Sequence, residues 1–99
     1  MNVVKLHEEG TAKFVLMTDK DGNYTLKSDT NADFHREIVR TLDGRCLGGG
    51  RIAINDGHVH AYGYSVDFGT PSQEIVENLL NEHAKTSGLT VKVEMGRGY

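Results

Sequence analysis

Cys46 and Arg51 bracket three consecutive glycines in the run Cys46-Leu47-Gly48-Gly49-Gly50-Arg51. Glycine has no Cβ, so its backbone N–H groups can lie close to an anion, and arginine offers a planar fork of donors that matches phosphate oxygens. The run points to phosphate chemistry, against the plainer reading of a glycine-rich turn with a surface arginine. A thiolate that attacks phosphorus needs Cys-x5-Arg closed into a ring of donors and leading into a helix N-terminus, which lowers the thiol pKa. Here the spacing is Cys-x4-Arg and Arg51 leads into the strand-like Ile52-Ala53-Ile54. Cys46 is therefore read as a small, half-buried thiol beside a loop, not as a nucleophile.

Two other groupings come close to known chemistry. Gly63-x-Ser65-x-Asp67 is one residue away from a Gly-x-Ser-x-Gly nucleophile elbow, but the elbow needs a small residue where Asp67 stands, and its fold needs a longer chain. Ser65 is more credible as a hydrogen-bond donor, with the N–H groups from Ser65 through Val66 to Asp67 available to an anion just ahead of a helix. His58-x-His60 puts two imidazoles on one strand face, yet zinc needs a third protein ligand and none is evident, so no metal is expected. A Walker-type Gly-x4-Gly-Lys-Ser/Thr sequence is absent, which leaves nucleotide binding through a P-loop unsupported.

Composition narrows what surrounds these residues. A chain of 99 residues, 37% hydrophobic, fits one domain over residues 1–99 with one core. Three Phe, four Tyr and no Trp make that core aliphatic, and a single cysteine excludes an internal disulfide. The net charge of −3 supplies no field to gather nucleic acid or an anionic membrane, so any phosphate must be held locally. With no signal-like start and no apolar run approaching ~18–20 residues, a soluble, cytoplasmic monomer is expected, without nucleic-acid or membrane partners.

The elements that must position these side chains can be read from periodicity. Met1 to Gly10 reads as a short lead; Thr11 to Thr18 reads as a strand, with Ala12, Phe14 and Leu16 on one face and Lys13, Val15 and Met17 on the other. Asp19-Lys20-Asp21-Gly22 turns the chain into a returning strand, Asn23 to Ser28. A first helix follows, with N-cap candidates from Ser28 to Asp33, apolar residues at Phe34, Ile38 and Leu42, and a stop at Gly44. His35 falls in its opening turn. Arg51–Ile54 and His58–Ser65 form a hairpin around Asn55-Asp56-Gly57, expected to be central to the sheet. Thr70, Pro71 and Gln73 read as the cap, first position and capping-box partner of a second helix carrying Ile75, Val76, Leu79, Leu80 and Ala84. After Gly88, Leu89 to Met95 alternates as a final strand, and Gly96 to Tyr99 forms a tail.

Taken together, Cys46-Leu47-Gly48-Gly49-Gly50-Arg51-Ile52, Val59-His60-Ala61-Tyr62-Gly63-Tyr64-Ser65 and Phe68-Gly69 resemble the Janus/Ocnus family, the protein histidine phosphatases. The likeness includes Ala12-Lys13-Phe14-Val15-Leu16 and Ala32-Asp33-Phe34-His35 in the same order, and spans Lys13 to Glu94. It implies an α/β (α+β) single domain, a mixed sheet with one helix on each face in the order β-β-α-β-β-α-β. It also implies cofactor-free, metal-independent hydrolysis of phosphohistidine on proteins, with phospholysine a second candidate substrate. By this resemblance His35 is the catalytic base or a transient phosphoryl acceptor, and Lys13, Arg51, Ser65, Val66 and Asp67 hold phosphate. A histidine near the positive end of a helix dipole is disfavoured from protonation, which agrees with a neutral base near pH 7. Asp67 departs from the family, which usually carries a small residue there; pointing to solvent, it would leave only its N–H to matter and activity would survive, whereas pointing inward its carboxylate would lower phosphate affinity or shift preference to a cationic substrate surface. Without catalysis, the same residues would make a phosphate-recognition or regulatory module.

Overall fold

Alternating apolar residues along two hairpins build a sheet whose two faces are both covered, each by one helix. The computed structural model describes residues 1–97. In chain order the elements are β1 (Val3–Lys5), β2 (Gly10–Thr18), β3 (Tyr24–Asp29), α1 (His35–Val39), β4 (Arg45–Asn55), β5 (His58–Gly63), α2 (Gln73–Ser87) and β6 (Thr90–Met95). The six strands line up as β1-β3-β2-β4-β5-β6. The inner pairs are antiparallel, while β1 on β3 and β6 on β5 are parallel, so the sheet is mixed. Of the expected tail, Gly98 and Tyr99 lie outside the described residues. Gly96 and Arg97 continue the pairing, since Gly96 N–H donates to Gly63 O and Gly63 N–H to Arg97 O, both at 2.7 Å.

The period-2 pattern of β2 divides the core. Phe14 and Leu16 join Leu26, Ile52, Ile54, Val59, Ala61 and Val93 under α2, whose Val76, Leu79 and Leu80 close that layer. Val15 and Met17 face the other way and are covered by Ile38 of α1. Fully burying each of these side chains other than Ala61 contributes roughly 1.5–3 kcal/mol relative to exposure. Lys13 points to the α1 face with Val15, as the alternation requires, and α1 carries His35 to that face as well.

The structure differs from the sequence reading in four places. The lead contains β1, three residues too short for periodicity to reveal. Its connection to β2 is pinned by His7, whose Nε2–H donates to Gly10 O (2.7 Å) and whose Nδ1 accepts from the Ser28 hydroxyl (2.6 Å). The first helix is a single turn, His35–Val39, capped by Phe34 with no side-chain cap. Beyond it tighter bonds from Thr41 N–H to Ile38 O and Leu42 N–H to Val39 O carry the coil to Leu42. Asp29, an expected cap, instead accepts from Asn31 N–H at 2.8 Å in an Asx turn.

The second helix is capped by Ser72, whose hydroxyl accepts from Ile75 N–H at 3.2 Å, so Thr70 is not the cap and Pro71 precedes the helix. No capping box forms, because Gln73 spends its amide on β6: Nε2 donates to Val93 O (2.6 Å) and Oε1 accepts from Met95 N–H (2.8 Å). The glycine run is no loop at all. Gly48, Gly49 and Gly50 lie inside β4, in register with Leu16, Val15 and Phe14. A bulge between Leu16 and Met17 leaves Leu47 as the extra residue. The hairpin of β4 and β5 turns at Asp56 and Gly57, both with positive φ (49° and 80°), as a two-residue turn demands.

Candidate functional site

Strand alternation, one helical turn and a tight loop bring the site residues to one end of the α1 face. Lys13 of β2 sits directly opposite Arg51 of β4, and the row continues to Tyr62 of β5 and Glu94 of β6, with Asp29 of β3 on the other side of Lys13. Two cations are thereby placed side by side at the middle of the sheet, where like charges in register repel and an anion between them is welcome. A cleft of about 360 Å³ opens over Lys13 and is lined by Asp33, Phe34, His35, Arg36, Val66 and Asp67. A second groove of about 150 Å³, lined by Thr11, Ala12, Thr30, Ala32 and Arg51, shares Lys13 with it.

His35 is only 4% exposed. Its Nε2 lies 2.9 Å from the carbonyl oxygen of Gly50. A carbonyl only accepts, so Nε2 carries the proton and Nδ1 keeps its lone pair. Among the described residues Nδ1 has no hydrogen-bond partner. Burial is the main force holding the His35 pKa below its ordinary 6.5; Lys13 and Arg51 push the same way, while the Gly50 carbonyl and Asp67 oppose them. The neutral base thus owes more to burial and neighbouring cations than to a macrodipole, which a five-residue helix supplies weakly.

The glycines are what let the imidazole in. A Cβ on Gly49 would lie 2.8 Å from His35 Cδ2 and 2.6 Å from Phe14 O, so the ring rests on bare backbone. A Cβ on Gly50 would meet Tyr62 O at 2.5 Å, and one on Gly48 the Pro71 nitrogen at 2.6 Å. The run is a strand stripped of side chains to seat His35 on one face and the Thr70-Pro71 segment that leads into α2 on the other.

The Ser65–Gly69 loop forms the opposite wall. Ser65 and Gly69 bond reciprocally, N–H to O, at 3.1 and 2.7 Å, and Gly49 N–H also donates to Gly69 O at 3.2 Å. Ser65 is 1% exposed, and its hydroxyl accepts from Phe68 N–H at 3.2 Å. It clasps the loop and does not line the cleft, whereas Val66 and Asp67 do. Asp67 points across the mouth to Arg36 at 3.9 Å. Lys13, His35, Val66 and Asp67 are thus gathered in one cleft, Arg51 stands at the shared edge through Lys13, and Ser65 lies behind.

Sequence reasoning missed Phe34 and Arg36 as cleft residues and took Asp33 for a cap. Phe34 is 50% exposed with the Arg36 guanidinium 4.3 Å over its ring, an arrangement that a longer amphipathic helix would have hidden. Cys46 is half-buried, its thiol donates to Gly48 O at 3.4 Å, and burial raises its pKa. His60 is turned to Glu94 at 2.8 Å, away from any partnership with His58. Among the described residues no three His, Cys, Asp or Glu side chains converge as metal ligands would, and no helix is long and apolar enough to cross a membrane.

A model of the Janus/Ocnus family matches residues 1–87. The chain belongs to the Janus/Ocnus family. Comparison with curated proteins gives no match. The family match takes in every residue of the cleft, from Lys13 to Asp67, together with the whole of α2. In this Janus/Ocnus chain β6 lies past the matched stretch and is tied back to it by Gln73.

Proposed function

We propose that this Janus/Ocnus chain is a metal-independent phosphohistidine phosphatase acting on proteins, with His35 as its base. The observation that carries the reading is the bond from His35 Nε2–H to Gly50 O, which leaves the Nδ1 lone pair uncommitted on a ring whose pKa the in-register cations Lys13 and Arg51 help to lower. A base that is already unprotonated near pH 7 and an anion site next to it are what hydrolysis of a phosphoramidate requires.

In this mechanism Lys13 and Arg51 offset charge on the non-bridging phosphoryl oxygens. His35 Nδ1 takes a proton from water as the water oxygen bonds to phosphorus. The P–N bond breaks, and its electron pair returns to the departing nitrogen of the substrate imidazole, which leaves neutral because its other nitrogen is protonated. His35 then returns the proton to solvent. In the other route Nδ1 itself attacks phosphorus, and water later cleaves the phosphoryl group from His35. Rapid quenching of a single turnover separates the two, since only the second leaves label on the protein. Lysine phosphoramidates share the P–N bond and are a further substrate class. Val66 and Asp67 border the phosphoryl group, and the Ser65 hydroxyl serves by holding their loop.

The test is phosphate release from a phosphohistidine-containing protein in the presence of chelator, compared between the parent and His35→Ala. General-base loss predicts a fall of about 10²-fold or more. Full activity in the variant sinks the mechanism. A parent protein that binds phosphate and releases none from phosphohistidine is a recognition module.

A further inference from the structure

We propose that Arg36 is a third phosphate-contacting cation of the cleft, held by Asp67 across the mouth and transferred to the phosphoryl group when substrate binds. The inference rests on the phosphatase reading of the same cleft and adds to it Arg36, which the sequence did not single out, as the partner of Asp67, which it did. Arg36 comes from α1 and Asp67 from the Ser65–Gly69 loop, so their contact joins the two walls. Both residues line the cleft that holds His35 and Lys13.

The contact suits a partner that is meant to be exchanged. It is a single contact between one guanidinium nitrogen and one carboxylate oxygen at 3.9 Å, and the two side chains are 50% and 55% exposed. Such pairs are worth only about 0–1 kcal/mol. A phosphoryl dianion in the same cleft brings more charge and oxygens spaced for a guanidinium fork, so it competes well for Arg36. Phe34 fixes the range of the movement: its ring lies under the guanidinium at 4.3 Å and keeps the charged head at the mouth whichever anion it faces. Asp67 therefore does two things at the cleft mouth. Its charge repels a second anion, and its contact with Arg36 withholds a donor.

Those two effects are separable by titrating the full-length protein with inorganic phosphate at low salt, followed by amide NMR shifts, in the parent, Arg36→Gln, Asp67→Asn and the double variant. Both side chains are exposed, so the fold tolerates the changes. Asp67→Asn should tighten phosphate binding about threefold or more; Arg36→Gln should weaken it about twofold in the parent and about tenfold once Asp67 no longer holds the arginine. Equal costs of Arg36→Gln in the two backgrounds would mean that Asp67 only repels, and would overturn the exchange. No tightening in Asp67→Asn would overturn it as well. If phosphohistidine is not hydrolysed but the unequal costs appear, the exchange stands and the phosphatase reading falls. If hydrolysis proceeds and the costs are equal, the reverse holds.

Discussion

The Nε2–H of His35 is directed at the carbonyl oxygen of Gly50, 2.9 Å away, and that bond fixes which side of the ring is basic. Burial lowers the His35 pKa below 6.5, so the ring stays neutral to a lower pH than a free histidine. kcat/KM for phosphohistidine should rise as pH climbs through the folded pKa, with the midpoint of that limb below the ordinary histidine value of 6.5. The same shift has a stability consequence. The unfolded chain binds a proton at His35 that the folded chain refuses, so the contribution is complete above the unfolded value and is lost as pH falls toward the folded one. Urea titrations between pH 7 and 5 should show the parent losing stability more steeply than His35→Gln. A pH limb centred above 7, or identical slopes, would contradict the burial-driven shift.

Gly49→Ala tests whether the glycine run is a seat for the imidazole. Gly49 has ordinary strand φ, so alanine costs nothing in backbone conformation, and the whole penalty comes from its Cβ meeting Phe14 O and His35 Cδ2. The ring cannot yield without breaking its bond to Gly50 O. A loss of about 1–3 kcal/mol by urea unfolding is expected, with activity falling further than stability explains. Gly22→Ala is the control, since nothing lies within 4 Å of its Cβ; there only the positive φ of 82° is charged against stability. Its activity should be unaffected.

What the sequence made legible was whatever is decided locally. The strand alternation at Lys13 and Val15 and the Val76, Leu79, Leu80 stripe follow from the period of side-chain burial, the Asp56-Gly57 turn follows from a residue that accepts positive φ, and each is in place. The glycine run reads as a loop because glycine signals a turn by its freedom, whereas inside β4 it serves chiefly by its lack of volume, with a positive φ at Gly48 alone of the three (147°), and only the approach of His35 and Pro71 reveals that. The capping box failed for a related reason. Gln73 had a tertiary use, on the backbone of β6 twenty residues away, that no local pattern announces. Arg36 went unseen because a residue next to His35 on a long helix would project about 100° away from it; on a single turn, Phe34 and Asp67 bring it to the same cleft.

Cys46→Ser should leave phosphate release within about twofold of the parent, because a thiol whose pKa burial has raised is a poor nucleophile near neutrality. Its contact with Gly48 O is one that a hydroxyl reproduces. Thiol-selective alkylation of the native protein should be slow at pH 7 and quicken above pH 9. Loss of activity in Cys46→Ser with an unchanged unfolding curve would bring the thiol back into the chemistry.

Lys13 and Arg51 should show opposite effects of one substitution on folding and on binding. They face each other across the β2–β4 register, and a like-charged pair in that position opposes folding by roughly 0.2–1 kcal/mol. Asp29, in register on the far side of Lys13, keeps its charge but directs its carboxylate to Asn31 N–H, so it offsets that repulsion only in part, and among the described residues Lys13 forms no close ion pair. Lys13→Met keeps most of the aliphatic stem and removes the charge. The variant should unfold at slightly higher urea, bind inorganic phosphate about tenfold more weakly and lose most of the rise in Tm that phosphate gives the parent. Arg51→Met should weaken phosphate binding comparably, and the double variant should lose less than the sum of the two, because both act on one anion. A Lys13→Met protein that is less stable and binds phosphate normally would show that this lysine belongs to the fold and that the anion site lies elsewhere.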